Sequence, residues 1–243
     1  MAEPVPVDDL AVALGLGRHE LVALIGGGGK TTALFALGRQ LGPTVVLTTT
    51  TKMGRERTGG HEPLFSPSRE QVGRALAEQG TVLAWKEDAA HKAVGVEPEV
   101  CDRWFDQADH VVVEADGSRR MPFKAPLDHE PVLPSRTTIL VACVGAAALG
   151  QPISEQCQRP DRVAAVGGCS PADPLTPERL ARVLLSDDGS RKDSPAGARF
   201  AVMVNRVGPE HLSFVDDLAA VVGDRALVVA VAPFLPGESP ERV

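Results

Sequence analysis

The sequence has no apolar run long enough to cross a bilayer, no basic excess and no closely spaced pair of cysteines. Each absence excludes something. A membrane-spanning helix needs about 20 consecutive apolar residues, so none is expected here. A formal net charge of −7 argues against non-specific nucleic-acid binding, which draws its affinity from neutralising phosphates. Cys101, Cys143, Cys157 and Cys169 lack the spacing of a zinc knuckle or a redox pair. Cys143 lies in the apolar run ILVACVG and reads as a small buried hydrophobe. Cys157 and Cys169 flank a loop containing proline and glycine, and they read as inert thiols. The first residues, MAEPVPVDDL, lack the basic start and apolar stretch of a signal peptide, so a cytoplasmic location is expected.

What is present fits a soluble α/β protein. The 243 residues, 43% of them hydrophobic, suffice for a sizeable core. We expect a single domain over 1–243, with 1–14 a loose N-terminal segment. Apolar, β-branched runs of strand length occur at 20–26, 44–48, 81–85, 110–114, 137–144, 200–205 and 226–232. Helical stretches fall between many of them, at 31–41, 67–79, 98–107, 176–186 and 209–222. This alternation predicts crossover units and a mostly parallel central sheet in a three-layer α/β/α fold. The segment 86–97 reads as a hairpin, and 187–199 as an exposed loop.

The stretch LIGGGGKTT, residues 24–32, follows the first strand. Gly29, Lys30 and Thr31 match the end of the phosphate-loop pattern G-x-x-x-x-G-K-[ST], while Leu24 stands where its first glycine belongs. The physical parts are nonetheless in order. Gly26, Gly27, Gly28 and Gly29 permit positive φ and let amides turn toward an anion. The helix that follows offers its N-terminus, with Thr32 in its first turn. Lys30 can reach terminal phosphates, and the Thr31 hydroxyl can bind Mg²⁺.

A phosphate cradle also needs a carboxylate at the end of a neighbouring strand. HVVVEADGS, residues 110–118, supplies Glu114 and Asp116 followed by Gly117. Either acid could serve the metal, and the Gly117 amide could meet the terminal phosphate. TTTTKM, residues 48–53, puts hydroxyls at the carboxyl edge of the sheet, where open α/β sheets bind ligands. One of Thr49, Thr50 or Thr51 could contact Mg²⁺ or phosphate there, as could Lys52. The next residues, GRERTGGH (54–61), read as a loop able to close over substrate.

After the acids comes a proline-stiffened stretch, SRRMPFKAPLDHEP, residues 118–131. Its prolines exclude a regular helix or a central strand. Arg119, Arg120 and Lys124 could stabilise a transferring phosphoryl group or hold an acidic substrate. His129 and Glu130 could bind a metal or move a proton. Late in the chain MVNRVG (203–208) ends a strand. Asn205 and Arg206 there resemble the Asn-Lys of guanine-binding loops, while Gly208 replaces the aspartate that would pair with guanine. This could be the base-binding corner.

GGGGKTT, TTTTKM and VEADGSRRMPFKAPLDHEP in this order resemble the YqeC family, named as selenium-dependent molybdenum hydroxylase accessory or selenium cofactor biosynthesis proteins. The resemblance runs from about residue 15 to the C-terminus. It implies a P-loop NTPase-like fold and a role in maturing selenium-containing molybdenum hydroxylases. The glycine loop is also similar to the ATP loop of Mur ligases, and the acid-x-x-Gly with Asn-Arg to nickel and cobalamin metallochaperone GTPases. Three functions are therefore carried forward. The first is Mg²⁺-dependent hydrolysis of ATP or GTP coupled to maturation of a molybdenum hydroxylase or its cofactor. The second is a nucleotide-gated accessory module with little turnover. The third is Mur-like ligation or phosphoryl transfer to a small acid.

Overall fold

The structure, a computed structural model, describes residues 3–89 and 92–233. The chain runs through α1 (Leu10–Ala13), β1 (Glu20–Gly26), α2 (Lys30–Gln40), β2 (Val45–Thr49), β3 (Lys52–Gly54), β4 (Leu64–Phe65), α3 (Arg69–Gln79) and β5 (Thr81–Trp85). It continues through β6 (Glu87–Ala89), β7 (Lys92–Val94), α4 (Pro98–Trp104), β8 (His110–Glu114), β9 (Phe123–Lys124) and β10 (Ile139–Gly145). Then follow α5 (Ile153–Gln156), β11 (Cys157–Gln158), α6 (Pro160–Gly167), α7 (Pro177–Leu185), β12 (Arg199–Asn205), α8 (Leu212–Val222) and β13 (Leu227–Val231).

Eight strands form one sheet in the order β13-β12-β10-β1-β8-β2-β5-β4, and all its pairings are parallel. Helices cover both faces, as the alternation of strand and helix predicts. β1 lies inside the sheet, and all seven of its residues are buried. Its pleat divides them between two cores. Leu21, Ala23 and Ile25 join one core with Leu76 of α3, Trp104 of α4, Leu184 of α7 and Leu218 of α8. Val22 and Leu24 join the other with Leu34 and Leu37 of α2. Burying one such side chain contributes about 1.5–3 kcal/mol before entropy is counted.

The N-terminal segment departs from expectation. Val5 bridges in parallel to Val231, and Leu10 and Leu14 have no exposed surface. The reason lies in α2, where Ala33 to Gly38 are all buried. A helix apolar nearly all round needs cover on its outer side too. Leu10 and Leu14 provide it, in the same core as Leu34 and Leu37. Residues 1 and 2 lie outside the described residues.

Other boundaries shift slightly. The second and fifth long strands start and end one or two residues later than the apolar runs suggest. The predicted helix 98–107 ends at Trp104, and 209–222 begins as a 3-10 turn, Pro209–His211. The expected hairpin is β6 and β7, which pair antiparallel and add β3 as a third strand. The loop 187–199 is not exposed throughout, because Gly189 and Ser190 are buried.

The parallel register sets up one functional edge. Glu114 stands opposite Leu24 of β1 and Thr49 of β2. Gly26 stands opposite Cys143, and Gly145 opposite Asn205. The carboxyl ends of β1, β2, β8, β10 and β12 thus meet along one side of the sheet, the side on which open α/β sheets bind ligands.

Candidate functional site

Between β1 and α2 the chain turns with Gly26 at φ 90° and Gly29 at φ 102°, a region where a side chain is strained. Gly27 is required for a different reason. A Cβ there would strike the Pro122 carbonyl. The glycine loop is therefore pressed under the strap that follows β8. Gly28 N–H donates to Pro122 O at 3.1 Å, and Gly145 N–H donates to the same oxygen at 2.8 Å.

The expectation that all four glycine amides turn toward an anion is corrected by these contacts. Gly26 N–H donates to both oxygens of Asp116, at 2.9 and 3.1 Å. Gly27 N–H donates to Cys143 O at 2.7 Å. The amides aimed outward begin at the helix, since the first-turn N–H groups of α2 have no intrahelical acceptor. Half-buried Thr31 and Thr32 lie in that turn.

Lys30 folds back over the loop. Its ammonium donates to Gly26 O at 2.6 Å and lies 3.2 Å from Asp116 Oδ1 and 3.9 Å from Glu114 Oε1. Only 3% of its side chain is exposed. Burial lowers its pKa, but Asp116 and then Glu114 outweigh burial, and the net shift is upward. Lys30 therefore stays charged.

Glu114 and Asp116 separate in role. Glu114 Oε2 accepts from the Thr31 hydroxyl at 2.9 Å. Burial raises its pKa, against the pull of Lys30 and of the Thr31 hydrogen bond. Asp116 turns away from Thr31. It sits on the Gly26 amide between Lys30 and Lys124, with Lys124 Nζ 3.1 Å from its Oδ2. The arrangement places Glu114 beside the Thr31 hydroxyl and gives Asp116 the task of pinning the loop.

Lys124 is not on a solvated loop. Phe123, Lys124 and Ala125 are buried, and the two-residue strand β9 pairs with β11. The Lys124 ammonium donates to Glu130 Oε2 at 2.7 Å and to Gly117 O at 2.8 Å. Arg159 Nη1 donates to the same Glu130 oxygen at 2.8 Å. Burial pushes the Glu130 pKa up, but hydrogen bonds from Lys124 and Arg159 reverse this and hold it below its usual value. Arg119, Arg120 and His129 are exposed. The two arginines occupy a turn at φ 49° and 65°.

The threonines at and after the end of β2 bond to the backbone or to each other. Thr50 Oγ1 donates to Val132 O at 2.7 Å, and Thr49 Oγ1 donates to Glu114 O at 2.8 Å. Thr51 bonds Thr49, and Lys52 is exposed on β3. Buried Asn205 packs on the loop, where a Cβ on Gly29 would come within 2.5 Å of its Nδ2. Burial pushes the Cys143 thiol up to about 12, which leaves it inert.

Two residues at this edge were not singled out by sequence. Arg57, inside the flagged loop 54–61, donates from Nη1 to Thr31 Oγ1 at 3.2 Å. Arg159 lies 29 positions from Glu130, and nothing local in the sequence ties the two together. Among the described residues no three His, Cys, Asp or Glu side chains cluster to hold a metal. Thr31 and Glu114 are hard oxygen donors, however, and two such donors suit Mg²⁺, which keeps waters and takes further ligands from phosphate. No helix among the described residues is long and apolar enough to cross a membrane.

Comparison with known proteins finds a family and a relative of similar sequence. The sequence model of the family described as YqeC protein matches residues 22–161, from inside β1 to the start of α6. The Escherichia coli K12 protein named uncharacterized protein YqeC is 32% identical over 213 residues, covering 82% of each chain.

Proposed function

The chain belongs to the YqeC family, and from that premise we propose that it binds and hydrolyses a nucleoside triphosphate with Mg²⁺. In this reading, turnover drives a maturation step on a molybdenum hydroxylase or its cofactor. The observation that carries the nucleotide part is the junction of β1 and α2. There a buried, charged Lys30, the Thr31 hydroxyl and the Glu114 carboxylate converge beside the N-terminus of α2. These groups bond one another in the structure, and they are also the set that a terminal phosphate and its metal use.

The residues divide the work. Outward amides of the first turn and the Lys30 ammonium hold phosphate oxygens. Thr31 and Glu114 are the groups that would hold Mg²⁺, which neutralises charge on the terminal phosphates. Asp116, fixed by Lys124, keeps the Gly26 amide and Lys30 in place.

One observation favours the nucleotide-gated module as a second reading. The Pro122 carbonyl already accepts from Gly28 in the glycine loop and from Gly145 at the end of β10. Phosphate entry that shifts the glycine loop would therefore move the 118–122 strap with it. A partner could sense that movement without rapid turnover.

Calorimetric titration with non-hydrolysable ATP and GTP analogues, with and without Mg²⁺, tests both. Mg²⁺-dependent binding of one base is expected, and Lys30→Ala should weaken it at least about 100-fold with the fold intact, as loss of a buried charge on phosphate implies. Unchanged binding and turnover in folded Lys30→Ala would overturn the nucleotide reading. Binding with negligible phosphate release would favour the gated module.

A further inference from the structure

Arg57 lies beside the Thr31–Glu114 pair with its side chain partly in solvent. Its guanidinium donates to Thr31 Oγ1 at 3.2 Å, and that hydroxyl in turn donates to Glu114. The charge of Arg57 also acts on the Glu114 carboxylate. Lys30 reaches the same point from beneath, through the loop. Two cations, one buried and one partly exposed, thus lie next to one hydroxyl–carboxylate pair.

The loop carrying Arg57 is seated, and several contacts fix it. β3, just before it, pairs with β7. Arg55 forms an ion pair with Asp88 at 2.7 Å. Gly59, at φ 57°, lies so close to the Phe35 ring of α2 that a Cβ would overlap it. His61 stacks on the same ring at 6.2 Å between centroids. Within these anchors, Arg57 N–H closes a turn to Gly54 O at 3.0 Å. The Arg57 side chain is 40% exposed, so it can meet an incoming ligand without leaving a buried position.

We propose that Arg57 reads the terminal phosphate of the bound nucleotide and so lets the site tell a triphosphate from a diphosphate. This rests on the nucleotide reading above. A guanidinium presents paired donors that match two phosphoryl oxygens, a geometry that an ammonium lacks. In this reading the α2 amides would take the inner phosphates, and the outermost one, beside Lys30 and the Thr31–Glu114 pair, would meet Arg57.

The test compares full-length wild type, Arg57→Ala and Arg57→Lys. Each is titrated, with Mg²⁺, with a non-hydrolysable triphosphate analogue and with the diphosphate of the same base, for both adenine and guanine. Circular dichroism and a thermal melt check folding. Arg57→Ala should weaken the triphosphate analogue about 10–100-fold, the range of a charged hydrogen bond, and the diphosphate by less than about threefold. Arg57→Lys should recover part of the difference. If wild type binds nucleotide and Arg57→Ala keeps its triphosphate-to-diphosphate ratio, the role of Arg57 is overturned and the nucleotide reading stands. Equal loss of both nucleotides in both variants also overturns it, since that marks a merely structural loop. If wild type binds neither nucleotide, both readings fall.

Discussion

Lys30 and Lys124 make an instructive pair. Both are lysines almost without exposed side chain, at 3% and 1%, and both lie against Asp116. Their surroundings differ. Lys124 has a full set of fixed partners in Asp116, Glu130 and the Gly117 carbonyl, and Arg159 closes the far side of Glu130. Lys30 shares Asp116, rests on loop carbonyls, and faces Glu114 at 3.9 Å, beyond hydrogen-bond reach. One lysine is locked into the frame. The other is a charge held next to an open helix start. On the proposed function, identical side chains with near-identical burial have different duties, and the difference in partners is what the proposal uses.

The largest expected effect falls on the locked lysine. Lys124→Met leaves Glu130 with Arg159 alone and takes one of two cations from buried Asp116. Breaking a buried ion pair by removing one partner costs about 3–5 kcal/mol. Lys30→Ala should cost less, about 1–3 kcal/mol, because Asp116 keeps Lys124 and the Gly26 amide. Urea denaturation of both variants measures the difference. If Lys30→Ala proves the more destabilising, the division into frame and site fails.

The two glutamates carry the same contrast into pH. Glu130 has a folded-state pKa below its ordinary value of 4.5. A depressed carboxylate contributes stability that is complete above the unfolded value and lost as pH falls through the folded one. Glu130→Gln should therefore remove part of the acid-induced loss of stability below about pH 4.5. Glu114 has the opposite shift, above 4.5. Its charge is a penalty above its folded pKa, and protonation relieves it as pH falls toward the unfolded value. Glu114→Gln should then raise the melting temperature at pH 7 while weakening Mg²⁺-dependent binding. A lower melting temperature for Glu114→Gln would contradict this sign. On the proposed function, the acid at which stability is given up is the one that would serve the metal, and the one at which it is kept serves the frame.

Much of this frame is legible in the sequence, and the unread parts have physical causes. Continuous apolar runs mark most strands of the sheet, because helices cover both of its faces. The two-residue strands β4, β9 and β11 leave no period to read. At the site, the positions of Lys30 and Thr31 follow from motif and order, as does the presence of the two acids Glu114 and Asp116. The place of Asp116 does not. Two acids two positions apart on a strand end look equivalent, and only the fold shows that one meets the Gly26 amide, 90 positions away. Glu130 was read beside His129 as a proton or metal group. Its partner Arg159 comes from the start of α6, a helix too short to stand out in the sequence. The same holds for Gly27, whose neighbour Pro122 is remote in sequence.

The smallest expected effect on stability separates the two kinds of glycine. Gly27→Ala must displace the Pro122 strap. Gly117 has open space where a Cβ would stand, and its φ is not positive. Gly117→Ala should therefore shift stability by no more than about 0.5 kcal/mol. The fold places no demand for glycine at this position, so any demand must come from what approaches it. If a phosphate meets the backbone there, the added methyl should weaken Mg²⁺-nucleotide binding about tenfold, roughly one lost hydrogen bond, with an unchanged melting curve. Unchanged affinity would leave Gly117 with one shown task, its carbonyl on Lys124, and would move it from the open side of the comparison to the locked one.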